Sequence, residues 1–188
     1  MAYLALVRHG ESEWNAKNLF TGWADRVLTR KGFLQARESA EKLKGIKWDL
    51  IFESDLERVK ESAEITVKTL NLKIPVIETS ALRERNYGIY TQKDKDFVKK
   101  ELGPDFEKFH RGWDFPIPEG ESLKQVYERV VPYYLSEIEP RLKSGLNIIV
   151  FASGNSLRAL CKYIKNLSDQ EIENFEIKTG EVLLTDYT

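Results

Sequence analysis

Tyr3-Leu4-Ala5-Leu6-Val7-Arg8-His9-Gly10-Glu11-Ser12-Glu13-Trp14-Asn15 opens as a short apolar run and turns abruptly to charge. Five apolar residues, Tyr3–Val7, read as a buried strand. Arg8 and His9 then fall at its carboxyl end, the edge where ligands collect in open α/β sheets. Gly10 lets the backbone approach a ligand closely. A neutral imidazole at that edge could attack phosphorus, with Arg8 supplying a fixed positive charge. The alternative is an ordinary surface histidine in a loop.

The rest of the chain repeats this strand–turn–helix pattern. Leu50–Phe52, Ile74–Glu78, Asn147–Ala152 and Glu181–Tyr187 read as further strands. Thr29–Leu43 reads as a helix, with Thr29 as N-cap, Phe33, Ala36, Ala40 and Leu43 in apolar register, and Gly45 as the stop. Leu56–Leu70, Leu123–Leu142 and Asn155–Ile164 also carry helical periodicity, the second interrupted by Pro132 and Pro140. Short apolar strands alternating with helices predict an α/β fold on a largely parallel, buried sheet. Residues 79–121 break the alternation. They are rich in Arg, Lys and Pro, and read either as a functional rim or lid or as a solvated irregular surface.

Composition narrows the function. A length of 188 residues predicts one domain, at about 150 residues per domain. Lys and Arg total 29 against 30 Asp and Glu, a net charge of −1, which argues against a broad nucleic-acid surface but not against a small basic pocket. One cysteine, Cys161, fits a reducing compartment. No apolar run approaches the ~18 residues of a membrane span. The amino terminus lacks the basic flank of a signal peptide. A cytoplasmic protein without membrane or nucleic-acid partners is therefore expected. Only His9 and His110 are available as imidazole ligands, so no metal site is expected.

Three further clusters lie at strand ends. Ser153-Gly154-Asn155-Ser156-Leu157-Arg158 follows the fourth strand and suits either an anion-binding helix N-terminus or a plain βα turn capped by Asn155. Ser54-Asp55-Leu56-Glu57-Arg58 follows the second. Arg83-Glu84-Arg85 sets a carboxylate between two cations, either a structural ion pair or, beside a substrate hydroxyl, a proton shuttle. No dinucleotide fingerprint, phosphate-binding P-loop, nucleophile elbow or HExxH motif occurs. Basic strand ends around one histidine suggest a phosphate-handling pocket without a metal.

The segment Leu6–Asn15, followed by Phe20-Thr21-Gly22-Trp23-Ala24-Asp25, resembles the opening of the cofactor-dependent phosphoglycerate mutases of the histidine phosphatase superfamily. The resemblance continues through Ser54-x-Leu56-x-Arg58, Leu82-x-Glu84-Arg85-x-Tyr87-Gly88, Pro118-Glu119-Gly120-Glu121-Ser122-Leu123 and Gly154–Arg158, nearly the whole chain. It implies a three-layer α/β/α sandwich over residues 1–188, with 79–121 as the active-site rim, and interconversion of 2- and 3-phosphoglycerate. His9 would be the phosphorylated nucleophile, primed by 2,3-bisphosphoglycerate without a metal. Arg8, Asn15, Arg58, Gly154 and Asn155 would hold the transferring phosphoryl group, and Glu84 would move protons. Gly10, Glu11, Ser12, Glu13, Trp14, Thr21, Gly22, Arg85, Asn86, Tyr87, Lys95, His110 and Arg111 would complete the binding site for small phosphorylated three-carbon acids. The resemblance admits a homodimer.

Three departures stand out. Ser153 occupies the position where the family pattern has a second histidine, so weakened activity is expected. His110 stands beside Arg111 where two arginines are usual. A histidine there is only partly charged near pH 7 and predicts pH-dependent anion binding; it is also a candidate substitute for the missing imidazole. The rim between Arg111 and Pro118 is short, and Asn86 and Thr91-Gln92-Lys93 depart from the pattern. A short rim would expose a phosphohistidine to water and favour phosphatase chemistry. The competing readings are thus a mutase, a phosphomonoester phosphatase using the same His9, and a non-catalytic phosphometabolite binder.

Overall fold

A computed structural model describes residues 2–187. Its strands are β1 (Ala2–Arg8), β2 (Leu50–Ser54), β3 (Val76–Thr79), β4 (Ile148–Ala152) and β5 (Val182–Tyr187), joined in one sheet in the order β3-β2-β4-β1-β5. The first four are mutually parallel and β5 runs antiparallel along β1. The helices are α1 (Glu13–Ala16), α2 (Arg30–Lys42), α3 (Glu57–Leu70), α4 (Lys95–Leu102), α5 (Phe106–Arg111), α6 (Leu123–Tyr133), α7 (Glu139–Lys143), α8 (Gly154–Ile164) and α9 (Asp169–Asn174). Among the described residues no helix is long and apolar enough to cross a membrane.

Strand alternation builds the three layers. Leu4 and Leu6 pack with Phe52, Ile148 and Val150 against α6 and α8. Ala5 and Val7, pointing the other way, pack with Ile51, Ile149 and Phe151 against the face formed by Leu43, Trp48, Val59 and Ala63. Both faces are therefore apolar, which is why β4 reads Ile-Ile-Val-Phe-Ala without a polar break.

Two regions differ from the sequence reading. The segment 79–121 is exposed along much of its outer surface but not irregular: α4 and α5 sit there, and Phe20, Tyr87, Tyr90, Val98, Phe106, Phe109 and Ile117 form a separate aromatic core beneath them. The helices are too short to show a clear period, although Asp94 caps α4 by accepting from the Phe97 amide. The expected helix 123–142 is continuous but widens to a π-helical stretch over Tyr134–Ile138. Pro132 and Pro140 each withhold an amide from the ladder, one just before this stretch and one just after it.

Because four strands are parallel, their carboxyl ends share one edge, and the loop Arg8–Ser12 is wedged there. A Cβ on Gly10 would lie 2.2 Å from the Gly32 carbonyl oxygen, and one on Gly32 would lie 2.1 Å from that of Glu11. The Gly10 amide also donates to Ser62 Oγ on α3 at 3.1 Å. The loop is thus pinned against α2 by two glycines that admit no side chain. Gly10→Ala is expected to destabilise the protein by about 1–3 kcal/mol through forced displacement of backbone. Denaturant unfolding checks this, and an unchanged midpoint would contradict the wedge.

Candidate active site

A cavity of about 140 Å³ opens at the shared strand edge, and each parallel strand delivers part of its wall. β1 supplies Arg8 and His9, α3 after β2 supplies Arg58, the segment after β3 supplies Glu84 and Tyr87, and α8 after β4 supplies Gly154, Asn155 and Arg158. Asn15, Thr21 and Gly22 enter from the loop around α1, and Lys95, His110 and Arg111 from α4 and α5.

His9 is the centre. It is 2% exposed, and its Nδ1 lies 2.6 Å from the Gly10 carbonyl oxygen. A carbonyl can only accept, so Nδ1 carries the proton and Nε2 keeps its lone pair. Arg58 Nε donates to that Nε2 at 3.3 Å. Burial, then the Arg58 and Arg8 charges, hold the imidazole well below its usual range, against a smaller opposing effect of the Gly10 carbonyl. A neutral imidazole with its free nitrogen facing cations is the form that can attack an electrophilic phosphorus.

The cations are held in an uncommon way. Arg58 donates to the carbonyls of Ala24 at 3.0 Å and Gly22 at 2.8 Å. Arg111 donates to those of Glu173 and Phe175, both at 3.1 Å. Arg158 donates to Phe175, Arg111 and Ile172 carbonyls, and to Asn155 Oδ1 at 2.8 Å. Arg8 donates to the Ile177 carbonyl. None of these four forms an ion pair among the described residues. Five basic side chains line the cavity against two carboxylates, Glu84 and Glu176. Crowding and burial press Arg58 down to about 10 and Arg158 to about 9, burial being the larger cause in both. Thr21 Oγ1, Arg8 Nε and two nitrogens of fully buried Arg85 have no protein partner. Such a donor-rich, cationic enclosure fits an anion of more than one charge.

Glu84 Oε1 accepts from the amides of Arg85 at 2.7 Å and Asn155 at 3.1 Å, so the first turn of α8 orients the carboxylate. Oε2 makes no hydrogen bond among the described residues. Asn15 uses Oδ1 to accept from the Ser12 amide at 3.1 Å, leaving its amide group toward the cavity.

Eight residues expected in the site stand outside the cavity wall. Gly10 is the wedge already described. Glu11 is bound to Lys31 at 2.8 Å and Thr29 at 3.0 Å, Ser12 caps α1, and Glu13 lies exposed in its first turn. Trp14 is buried with the Arg26 guanidinium 4.0 Å above its ring. Asn86 closes a turn by accepting from the Gly88 amide. Arg85 packs behind the wall, 4.7 Å over Tyr87. Ser153 is fully buried at the N-cap of α8, yet its hydroxyl neither caps the helix nor finds another partner. Trp23 walls nothing either; its indole donates to the Glu84 carbonyl at 2.6 Å. Cys161 is a buried core residue whose thiol burial pushes up to about 12.

His110 does line the cavity, but not as a group charged near neutrality. Burial, followed by the charges of Lys95, Arg85, Arg111 and Arg158, drives it down to about 3. Sequence reasoning gave no role to Leu19, Phe20, Arg158, Glu176 or Ile177, all of which line the wall. Arg158 was within a quoted motif; Glu176 and Ile177 sit on a patternless connection and carried no signal.

Comparison with known proteins identifies the family and the fold. The model of the histidine phosphatase superfamily (branch 1) matches residues 4–188. A 2,3-bisphosphoglycerate-dependent phosphoglycerate mutase of Parvibaculum lavamentivorans is 43% identical over 183 residues, 94% of this chain and 86% of its own. One from Cytophaga hutchinsonii is 39% identical over 189 residues, covering 100% and 89%. Among solved structures, Bacillus stearothermophilus YhfR superposes with a TM-score of 0.89 at 24% identity, covering 100% and 92%. A putative alpha-ribazole-5'-P phosphatase of Escherichia coli does so at 0.83 and 24%, covering 97% and 89%. At those identities the two structures speak to the fold alone.

Both imidazoles are depressed, so the unfolded chain takes up protons near pH 6.5 that the native protein refuses. Stability linked to His9 and His110 is full above about pH 6.5 and is lost as pH falls below it. In the ligand-free protein, the His110 resonance is not expected to titrate between about pH 8 and 5 by NMR, and that of His9 is expected to titrate only well below its usual range. A midpoint near 6.5 for either would contradict the enclosure.

Proposed function

Because this chain belongs to the histidine phosphatase superfamily, we propose that it interconverts 2- and 3-phosphoglycerate through a phosphohistidine at His9. The observation that carries the reading is the neutral, Nδ1-protonated His9 with Nε2 facing guanidinium groups that form no ion pair among the described residues. The names of the relatives at about 40% identity support the same activity. Three-carbon phosphorylated acids are the partners in this reading, and cytoplasmic glycolysis and gluconeogenesis its setting.

The cavity suits 2,3-bisphosphoglycerate, whose three anionic groups match the cationic wall and the unpartnered buried donors. Arg8, Asn15, Arg58, Gly154 and Asn155 would hold one phosphoryl group; Lys95, Arg111 and Tyr87 face the remainder, with Arg85 behind them. Bound there, the cofactor supplies the phosphoryl group that charges His9. Arg8 and Arg58 then neutralise charge on the transferring oxygens, which need positioning and fixed donors more than covalent help. Glu84 moves protons to and from the substrate hydroxyls through its free Oε2. At 2% exposure His9 is withdrawn from bulk water, which favours return of the phosphoryl group to a bound hydroxyl over hydrolysis.

In the finer reading Ser153 weakens turnover. Its unpartnered hydroxyl offers one neutral hydrogen bond where the family resemblance implies an imidazole, and loss of one such donor costs about 2.7–4 kcal/mol, roughly 10²–10³ in rate. Ser153→His is expected to raise mutase turnover by roughly 10²-fold, assayed with 3-phosphoglycerate and trace 2,3-bisphosphoglycerate. Equal turnover in both proteins would remove Ser153 from this role; inactivity of both would leave a phosphate-ligand binder on this fold. Glu84→Gln is expected to impair turnover while 2,3-bisphosphoglycerate binding persists by calorimetry. Unchanged turnover would take proton transfer away from Glu84.

A further inference from the structure

The segment that carries Glu84 has no regular structure of its own between the short turn at Ser80–Leu82 and Gly88. Its placement comes from a residue far along the chain. Arg129 on α6 donates from Nη1 to the Ala81 carbonyl at 2.9 Å, and from Nη2 to the carbonyls of Arg83 at 2.9 Å and Glu84 at 2.8 Å. The same guanidinium clasps Glu121, with Nε to Oε1 at 2.7 Å and Nη2 to Oε2 at 3.0 Å. Glu121 Oε2 in turn accepts from the Asn86 amide at 2.8 Å. One planar fork thereby fixes three carbonyls directly and a fourth peptide through its partner, spanning residues 81–86.

We propose that Arg129, with Glu121, is a positioning residue for Glu84. The inference rests on the reading of Glu84 as the proton-transfer group. The Glu84 carbonyl is drawn outward to Arg129 and to the Trp23 indole, while its carboxylate lies on the cavity side, held by the Arg85 and Asn155 amides. Without the fork, the Ala81 carbonyl loses its partner, those of Arg83 and Glu84 keep only the Ser156 hydroxyl and the Trp23 indole, and the segment is held less firmly. Lysine cannot replace it, since an ammonium lacks the planar array that meets several acceptors at once. Arg129 is absent from the cavity wall, so it exerts its effect through main-chain geometry rather than through contact with substrate.

The test is steady-state mutase kinetics of the full chain as wild type, Arg129→Ala, Arg129→Lys and Glu121→Gln, each normalised to folded protein. A displacement of a catalytic group by about 1 Å can cost on the order of 10²-fold. The expected result for Arg129→Ala is a kcat fall of roughly that size with KM little changed, and partial recovery of kcat on adding methylguanidinium, which can enter because the Arg129 side chain is 22% exposed. Arg129→Lys is expected to remain impaired, and Glu121→Gln to lower kcat in the same sense even if Arg129→Ala does not fold. A lowered melting temperature with unchanged kcat, a rise in KM alone, or full activity of the lysine variant would overturn the proposal. An inactive wild type that never labels on His9 would instead fell the mutase reading, and this inference with it.

Discussion

Everything at the active edge depends on satisfying guanidinium groups with peptide carbonyls. A carboxylate partner would hold an arginine equally well but would cancel its charge before a ligand arrived. Here Gly22, Ala24, Ile172, Glu173, Phe175 and Ile177 present main-chain oxygens to Arg58, Arg158, Arg111 and Arg8. The geometry is fixed and the charge is retained. Where the chain does pair arginine with carboxylate, as in Arg83–Asp55 and Arg129–Glu121, the pair lies outside the cavity and serves the frame.

That arrangement also sets the chemistry of His9. Burial, then the nearby Arg58 and Arg8 charges, keep its ring neutral, and the Gly10 carbonyl decides which nitrogen bears the proton. The loop can offer that carbonyl because Gly10 and Gly32 let it lie directly on α2. Fold, tautomer and charge state are therefore consequences of one packing contact and one pattern of hydrogen bonding.

The sheet was legible because β1, β2 and β4 are buried and carry apolar runs; all five strands lie within two residues of their expected bounds. The basic strand ends were legible for the same reason, since a parallel sheet brings their carboxyl edges together. Helices α4 and α5 were hidden by their shortness and by proline around them, and the aromatic core beneath them joins Phe20 to residues some seventy to ninety-seven positions later. Contacts of that range leave no local period. The charge state of His110 was likewise invisible: burial, followed by the three-dimensional crowd of Lys95, Arg85, Arg111 and Arg158, drives it to about 3. Residues 11–14 were expected in the site from the resemblance alone; after Gly10 the chain turns so that Glu11 meets Lys31 and Thr29, and Ser12 caps α1.

The central claim is that His9 Nε2 accepts a phosphoryl group within this carbonyl-held cationic cavity. Incubation with 2,3-bisphosphoglycerate carrying radiolabelled phosphorus, followed by quenching and peptide mapping, tests it directly. The account predicts an acid-labile, alkali-stable label confined to the peptide bearing His9 and absent from His9→Ala. A label that persists in His9→Ala, or no label on His9 in the unmodified protein, would contradict it.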